Sequence, residues 1–95
     1  MAARVVHVLI SGEVQGVGYR AWTAANARRF GLTGWVRNRR DGDVEAVFRG
    51  AEGEVAAMLA ACRQGPLSAR VSRVREVDAD DAATDAQDFL VLPTA

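Results

Sequence analysis

Gly34-Trp35-Val36-Arg37-Asn38-Arg39-Arg40-Asp41-Gly42-Asp43-Val44-Glu45-Ala46-Val47-Phe48 reads as two short strands folded back on one another. Strand segments at 34–38 and 44–48 flank a polar break, and the Asp41-Gly42 pair in that break is a strong hairpin signal. What stands on either side of the hairpin decides the fold. Upstream, Thr23, Ala27 and Phe30 recur at helical spacing, and Gly31-Leu32 matches a C-terminal stop. Glycine takes the left-handed position there, with an apolar residue behind it. Downstream, Val55, Met58, Leu59 and Cys62 form one stripe at helical intervals. Glu52 and Glu54 sit at the positive end of that helix, Arg63 at the negative end, and Gly65-Pro66 ends it.

A strand lies outside each helix. Arg4 to Ser11 alternates loosely, with Val6, Val8 and Ile10 on one face and Val5, His7 and Leu9 on the other. Two apolar faces predict a central strand. Ala69 to Val77 is also predicted as a strand, but Val71, Val74 and Val77 repeat every three residues; either a bulge or an edge position would explain this. Asp78 to Asp88 reads as a solvated connection, and Phe89 to Val91 as a short last strand. The order is β-α-β-β-α-β plus a terminal strand. Right-handed crossovers then put both helices on one face of an antiparallel sheet, the α+β ferredoxin-like split βαβ sandwich. So many activities share this fold that function has to be read from residues.

Ninety-five residues fit one domain spanning 1–95, which would bury roughly 60–70% of the surface of its unfolded chain. An apolar fraction of 49% with 25% charged residues argues against disorder. No apolar run approaches the roughly 20 residues of a membrane span, and no signal-peptide pattern opens the chain. A cytoplasmic location is the default expectation. Cys62 is the only cysteine, so no internal disulfide forms, and its place on the apolar stripe makes it a core thiol. One His and one Cys do not suffice for a structural zinc site. All twelve basic residues are Arg, which excludes Schiff-base and phosphate-gripping lysines. Residues 1–49 hold eight Arg and four acids, whereas residues 50–95 hold four Arg and eight acids. That bias suits a small anionic ligand and is too weak to indicate nucleic acid.

Gly12-Glu13-Val14-Gln15-Gly16-Val17-Gly18-Tyr19-Arg20 carries the chemistry. It places a glycine-bearing loop between strand and helix, with an arginine on the helix's first turn. Backbone N–H groups in such a loop form a concave nest for an anion; the helix N-terminus adds positive charge, and a guanidinium grips two oxygens at once. Taken alone, Gly16 and Gly18 read first as turn glycines that supply a positive φ. The spacing Gly16-x-Gly18-x-x-Ala21 mimics a dinucleotide fingerprint, but the following strand enters a hairpin instead of a second βαβ unit. Arg20 is electrostatically misplaced at a positive helix end, and a bound anion would relieve that repulsion. Asn38 either makes a local turn bond or holds a water by donating and accepting at once. Gln15 reads as a loop brace, Arg37, Arg39 and Arg40 as a solvated hairpin rim or a positive entrance, and His7, Trp22 and Trp35 as structural.

Loop and hairpin together resemble the acylphosphatase family. The loop is similar to that family's Gly-x-Val-Gln-Gly-Val-x-Phe-Arg signature, with Tyr19 in place of Phe. Gly34-x-Val36-x-Asn38-x-x-Asp41-Gly42-x-Val44-Glu45 is similar to its second block, and the likeness runs from about residue 5 to 92. The resemblance implies hydrolysis of the carboxyl–phosphate bond of acyl phosphates. The leaving carboxylate is a weak base, so no metal or cofactor is expected; composition points to neither nucleic acid nor membrane, and with no obligate interface suggested the expectation is a monomer. The resemblance makes Arg20 the phosphate-binding residue and Asn38 the residue orienting the attacking water. The N–H groups of Gln15, Gly16, Val17, Gly18, Tyr19 and Arg20 complete the cradle. The tail Leu92-Pro93-Thr94-Ala95 lacks the aromatic ending common in the family, which leaves packing at the last strand open. Two rival readings are an anion-binding module without turnover and an RNA-binding sheet; for the latter, the first strand offers no stacking aromatic. A third keeps the chemistry but changes its context: similar domains occur within larger carbamoyl-phosphate-processing proteins, and the chain would then work with a separate partner.

Overall fold

Alternation fixes the middle of the sheet. β1 (Ala3–Glu13) buries Val6, Val8 and Ile10 on one face and leaves Val5, His7 and Leu9 half-buried on the other. In the computed structural model, which describes residues 3–77 and 87–95, this strand is flanked on both sides. It runs antiparallel to β3 (Val44–Ala51) and to β4 (Arg70–Val77). β2 (Thr33–Asn38) pairs antiparallel with β3 through the Asp41-Gly42 turn. Two helices, α1 (Tyr19–Arg29) and α2 (Glu52–Gln64), complete the split βαβ unit.

The four strands of that unit are antiparallel, as expected. The terminal β5 (Phe89–Val91) differs: it joins β2 in parallel, with Val36 opposite Val91, giving the order β4-β1-β3-β2-β5. β4 runs opposite to β2, so a chain that reverses once after β4 reaches the far edge aligned with β2. The connection expected at Asp78–Asp88 lies outside the described residues from 78 to 86. The three-residue repeat of β4 has both of its offered explanations. β4 is an edge strand, and the register slips between Ser11 and Gly12, whose partners Arg73 and Val71 skip Ser72.

Local chemistry ends each helix where the sequence indicates. At the end of α1, Gly31 N–H donates to Arg28 O at 3.1 Å and Leu32 N–H to Ala27 O at 2.9 Å, the paired bonds of a Schellman stop. α2 carries Glu52 and Glu54 in its first turn and Arg63 in its last, each complementing the helix dipole. α1 packs over β2 and β5, and α2 over β1 and β4. Between helices and sheet lies one core that includes Val8, Val36, Phe48, Ala27, Met58 and Cys62. Gly34 is the register partner of both Phe48 and Phe89. The two phenyl rings stack at 5.6 Å between centroids and 14° apart, while a Cβ on Gly34 would run into the carbonyl of Val47. No helix among the described residues is long and apolar enough to cross a membrane.

Tyr19 solves a problem at the end of α2. The last carbonyls of a helix lack intrahelical donors. The buried Tyr19 hydroxyl donates to one of them, Cys62 O, at 2.7 Å. Burial, followed by the Cys62 thiol, pushes the phenol well above its ordinary range, so it remains a donor. Burial likewise pushes the Cys62 thiol up to about 12, against smaller opposing effects of Tyr19 and Arg63, which keeps it an unreactive core group. Tyr19→Phe strands that carbonyl and is expected to cost about 1 kcal/mol in denaturant unfolding while leaving turnover intact.

Candidate active site

Residues 14–18 join β1 to α1, and their geometry follows from the glycines. Gly16 and Gly18 adopt φ of 74° and 80°, a left-handed conformation that other residues enter only with strain. Gly18 is also the N-cap of α1 and offers no side chain to the helix end. Trp22 N–H is the first to bond back, to Gly18 O at 3.0 Å. The N–H groups of Tyr19, Arg20 and Ala21 are therefore without intrahelical acceptors. No acidic residue occupies that first turn, so no carboxylate of its own turn neutralises Arg20.

Two side chains hold the loop from opposite shoulders. Ser68, between α2 and β4, donates its hydroxyl to Val17 O at 2.9 Å. Gln15 reaches the hairpin turn, its amide nitrogen donating to Arg39 O at 2.7 Å and to Asp43 O at 2.9 Å. Gln15 is thus a brace, as its sequence position suggested.

A cavity of about 290 Å³ opens beside the loop. Gly16, Gly18, Tyr19, Arg20 and Asn38 line it, with Val14, Ala21 and Val91 as apolar walls. Five of the residues singled out from sequence therefore meet in one place. Gln15 and Val17 do not line it; their side chains turn toward the hairpin and the core. Asn38 Oδ1 is buried and has no hydrogen-bond partner among the described residues. A buried carbonyl without a donor is costly, so its place on the wall of a cavity that Arg20 also lines is informative. The Asn38 backbone is fixed from two sides, by its register with Val44 and by Ala95 N–H, which donates to Asn38 O at 2.9 Å. Leu92 N–H bonds Val36 O at 2.9 Å, so the tail zips along β2 without an aromatic ending. Val91 and the tail were not identified as part of the site, because nothing local in the sequence announces which edge β5 joins.

The expected solvated rim is corrected at Arg37. Glu45 is buried on the sheet face opposite the helices, where it accepts from Arg37 Nε at 2.7 Å and lies 2.7 Å from His7 Nε2 and 3.7 Å from Arg39. Arg37 also stacks over Trp35, 4.7 Å from its ring centre. Arg39 donates mainly to Asp41, at 3.2 Å on the exposed turn, and stays on the rim with Arg40. Burial on its own pushes the Glu45 carboxyl up, but hydrogen bonds and charge from Arg37 and His7 outweigh it and hold the group below its usual value. A carboxyl depressed in the folded state contributes stability above its unfolded pKa and loses it as pH falls through the folded one. Glu45→Gln should therefore cost roughly 1–3 kcal/mol near pH 7, and the gap to wild type should close in acid unfolding curves.

Fold and cavity together define a small α+β domain whose cavity is walled by a glycine loop, an arginine and a buried amide oxygen. The family model for acylphosphatase matches residues 6–91. An acylphosphatase of Bradyrhizobium diazoefficiens is 50% identical over 101 aligned positions, covering 99% of each chain. Among solved structures, an acylphosphatase from Coxiella burnetii superposes with a TM-score of 0.83 at 36% identity, covering 95% of this chain and 93% of its own. One from Bacillus subtilis gives 0.81 at 28% identity, covering 96% and 99%. The chain belongs to the acylphosphatase family, and it is an enzyme that hydrolyses acyl phosphates.

Proposed function

We propose that hydrolysis proceeds without a metal ion, with Arg20 and the loop N–H groups holding the phosphoryl group and Asn38 orienting the water. The observation that carries this reading is the unpartnered Asn38 Oδ1 on the wall shared with Arg20. An amide accepts a hydrogen bond from a water and donates another, which fixes the direction of the water's lone pair. The bond to be broken makes modest demands. An acyl phosphate is a mixed anhydride whose leaving carboxylate is a weak base and needs little acid assistance. Water oxygen attacks phosphorus, the P–O bond to the acyl group breaks, and its electron pair leaves with the carboxylate. The water's proton passes to a phosphoryl oxygen, so the products are a carboxylate and inorganic phosphate. Holding the equatorial oxygens and aligning the water supply the catalysis.

The substrate in this reading is a small acyl phosphate, and neither nucleic acid nor membrane takes part. Residues 1–95 act as one domain, monomeric and cytoplasmic. Hydrolysis of benzoyl phosphate in excess chelator, compared between wild type and Asn38→Ala, tests it. Rapid wild-type turnover that the variant loses supports the reading. A wild type that binds phosphate but needs added metal for turnover would sink its metal-independent part. One that does not turn over under any condition would point to a binding module.

A further inference from the structure

We infer that the Gln15 side chain is a positioning residue that sets the distance between the phosphate cradle and Asn38. The inference rests on the water-orienting role proposed for Asn38. The two halves of the site belong to different parts of the chain. Cradle and Arg20 stand at the β1–α1 junction, while Asn38 is the last residue of β2. The bonds that fix the Asn38 backbone, from β3 and from Ala95, come from sheet and tail, and the Ser68 bond ties the loop to the α2–β4 connection. None of these relates the cradle to the hairpin. Among the described residues, the side-chain bonds that do so are the two from Gln15.

Their acceptors are well chosen. Arg39 follows Asn38 directly, and Asp43 faces it across the neck of the turn, with Arg39 N–H donating to Asp43 O at 2.8 Å. Gly42 N–H donates to Arg39 O at 3.2 Å. Each carbonyl has two lone pairs, so each accepts from the turn and from Gln15 together. Both amide hydrogens of one neutral side chain are thus used to clamp the turn beside Asn38 onto the loop. Glutamate would present no donor, and asparagine is one methylene too short to reach both carbonyls as glutamine does. A misplacement of about 1 Å between reacting groups can cost about 100-fold in rate, which is the scale on which such a clamp acts.

The test is a double-mutant cycle read with benzoyl phosphate, using inorganic phosphate as competitive inhibitor. In Gln15→Met, kcat should fall by roughly 10- to 100-fold while the phosphate inhibition constant stays within about threefold. In the Asn38→Ala background the same change should have almost no effect on kcat, since the group it positions is gone. An equal loss in both backgrounds, or a loss of phosphate affinity matching the loss of kcat, overturns the inference in favour of a role confined to loop folding. Gln15→Asn should fall between wild type and Gln15→Met, and it carries the cycle if the methionine variant does not fold. Failure of both to fold overturns the inference as well. Two controls separate this outcome from the reading beneath it. A wild type without turnover, or an Asn38→Ala variant with full turnover, removes that reading and this inference with it. With both controls as expected, additive losses overturn the Gln15 role alone.

Discussion

Arg20→Ala is expected to lower kcat/KM by roughly 10³–10⁵, the scale on which a transition-state arginine acts in phosphoryl transfer. Both binding and rate should suffer, because the guanidinium holds oxygens that are charged in substrate and transition state alike. Lysine should not restore activity: its ammonium is a point charge and lacks the planar fork that meets two oxygens of one phosphate. Stability should move the other way. Arg20 sits at the positive end of α1 with no acidic residue in that turn, so removing it relieves a repulsion of a few tenths of a kcal/mol. An inactive variant with an unchanged or raised melting temperature is the expected result. Turnover within tenfold of wild type would show that the loop holds phosphate without this side chain.

Asn38→Ala should separate rate from affinity. A loss of roughly 10²–10³ in kcat is expected, as for removal of one positioned polar group, with the phosphate inhibition constant little changed. The amide touches the nucleophile in this reading and not the phosphoryl oxygens, so the ground-state complex should form normally. Unfolding offers an independent check. Asn38 Oδ1 is buried without a protein partner among the described residues, so deleting that oxygen breaks no hydrogen bond within the fold and should not destabilise it. A variant that loses kcat and also unfolds easily would show that Asn38 serves the hairpin, as the turn-bond reading of this residue has it.

The parts of this fold legible in the sequence are those written in local periodicity. The alternation of Val6, Val8 and Ile10, the stripe Val55, Met58, Leu59 and Cys62, and the Asp41-Gly42 turn each depend on neighbours a few residues away. The glycine loop, Arg20 and Asn38 were likewise visible, since two motifs at a fixed separation carried the family resemblance. What escaped depends on register. Glu45 finds Arg37 directly across the β2–β3 hairpin, but His7 reaches it only because β1 lies on the other side of β3. A strand reading assigns faces and says nothing of which strand comes next. The direction of β5 and the contact between Tyr19 and Cys62, 43 residues apart, were hidden for the same reason. Gln15 was recognised as a brace, while its anchors on Arg39 and Asp43 required the turn to be folded beside the loop.

The edges of the sheet bear on the enzyme's behaviour at high concentration. Among the described residues, β4 has no strand partner on one side of its backbone, a template on which another molecule could add a strand. Its exposed positions include Arg70, Arg73, Arg75 and Glu76, and its pairing with β1 is broken by the bulge at Ser72. Three guanidinium groups on eight residues bring like charges together whenever two such edges approach, and the bulge spoils the straight ladder they would need. The opposite edge is only three residues long and runs on to Pro93, which has no N–H to offer. Like charge along β4 thus opposes edge-to-edge addition of a second copy, the route by which exposed strands seed fibrous self-association.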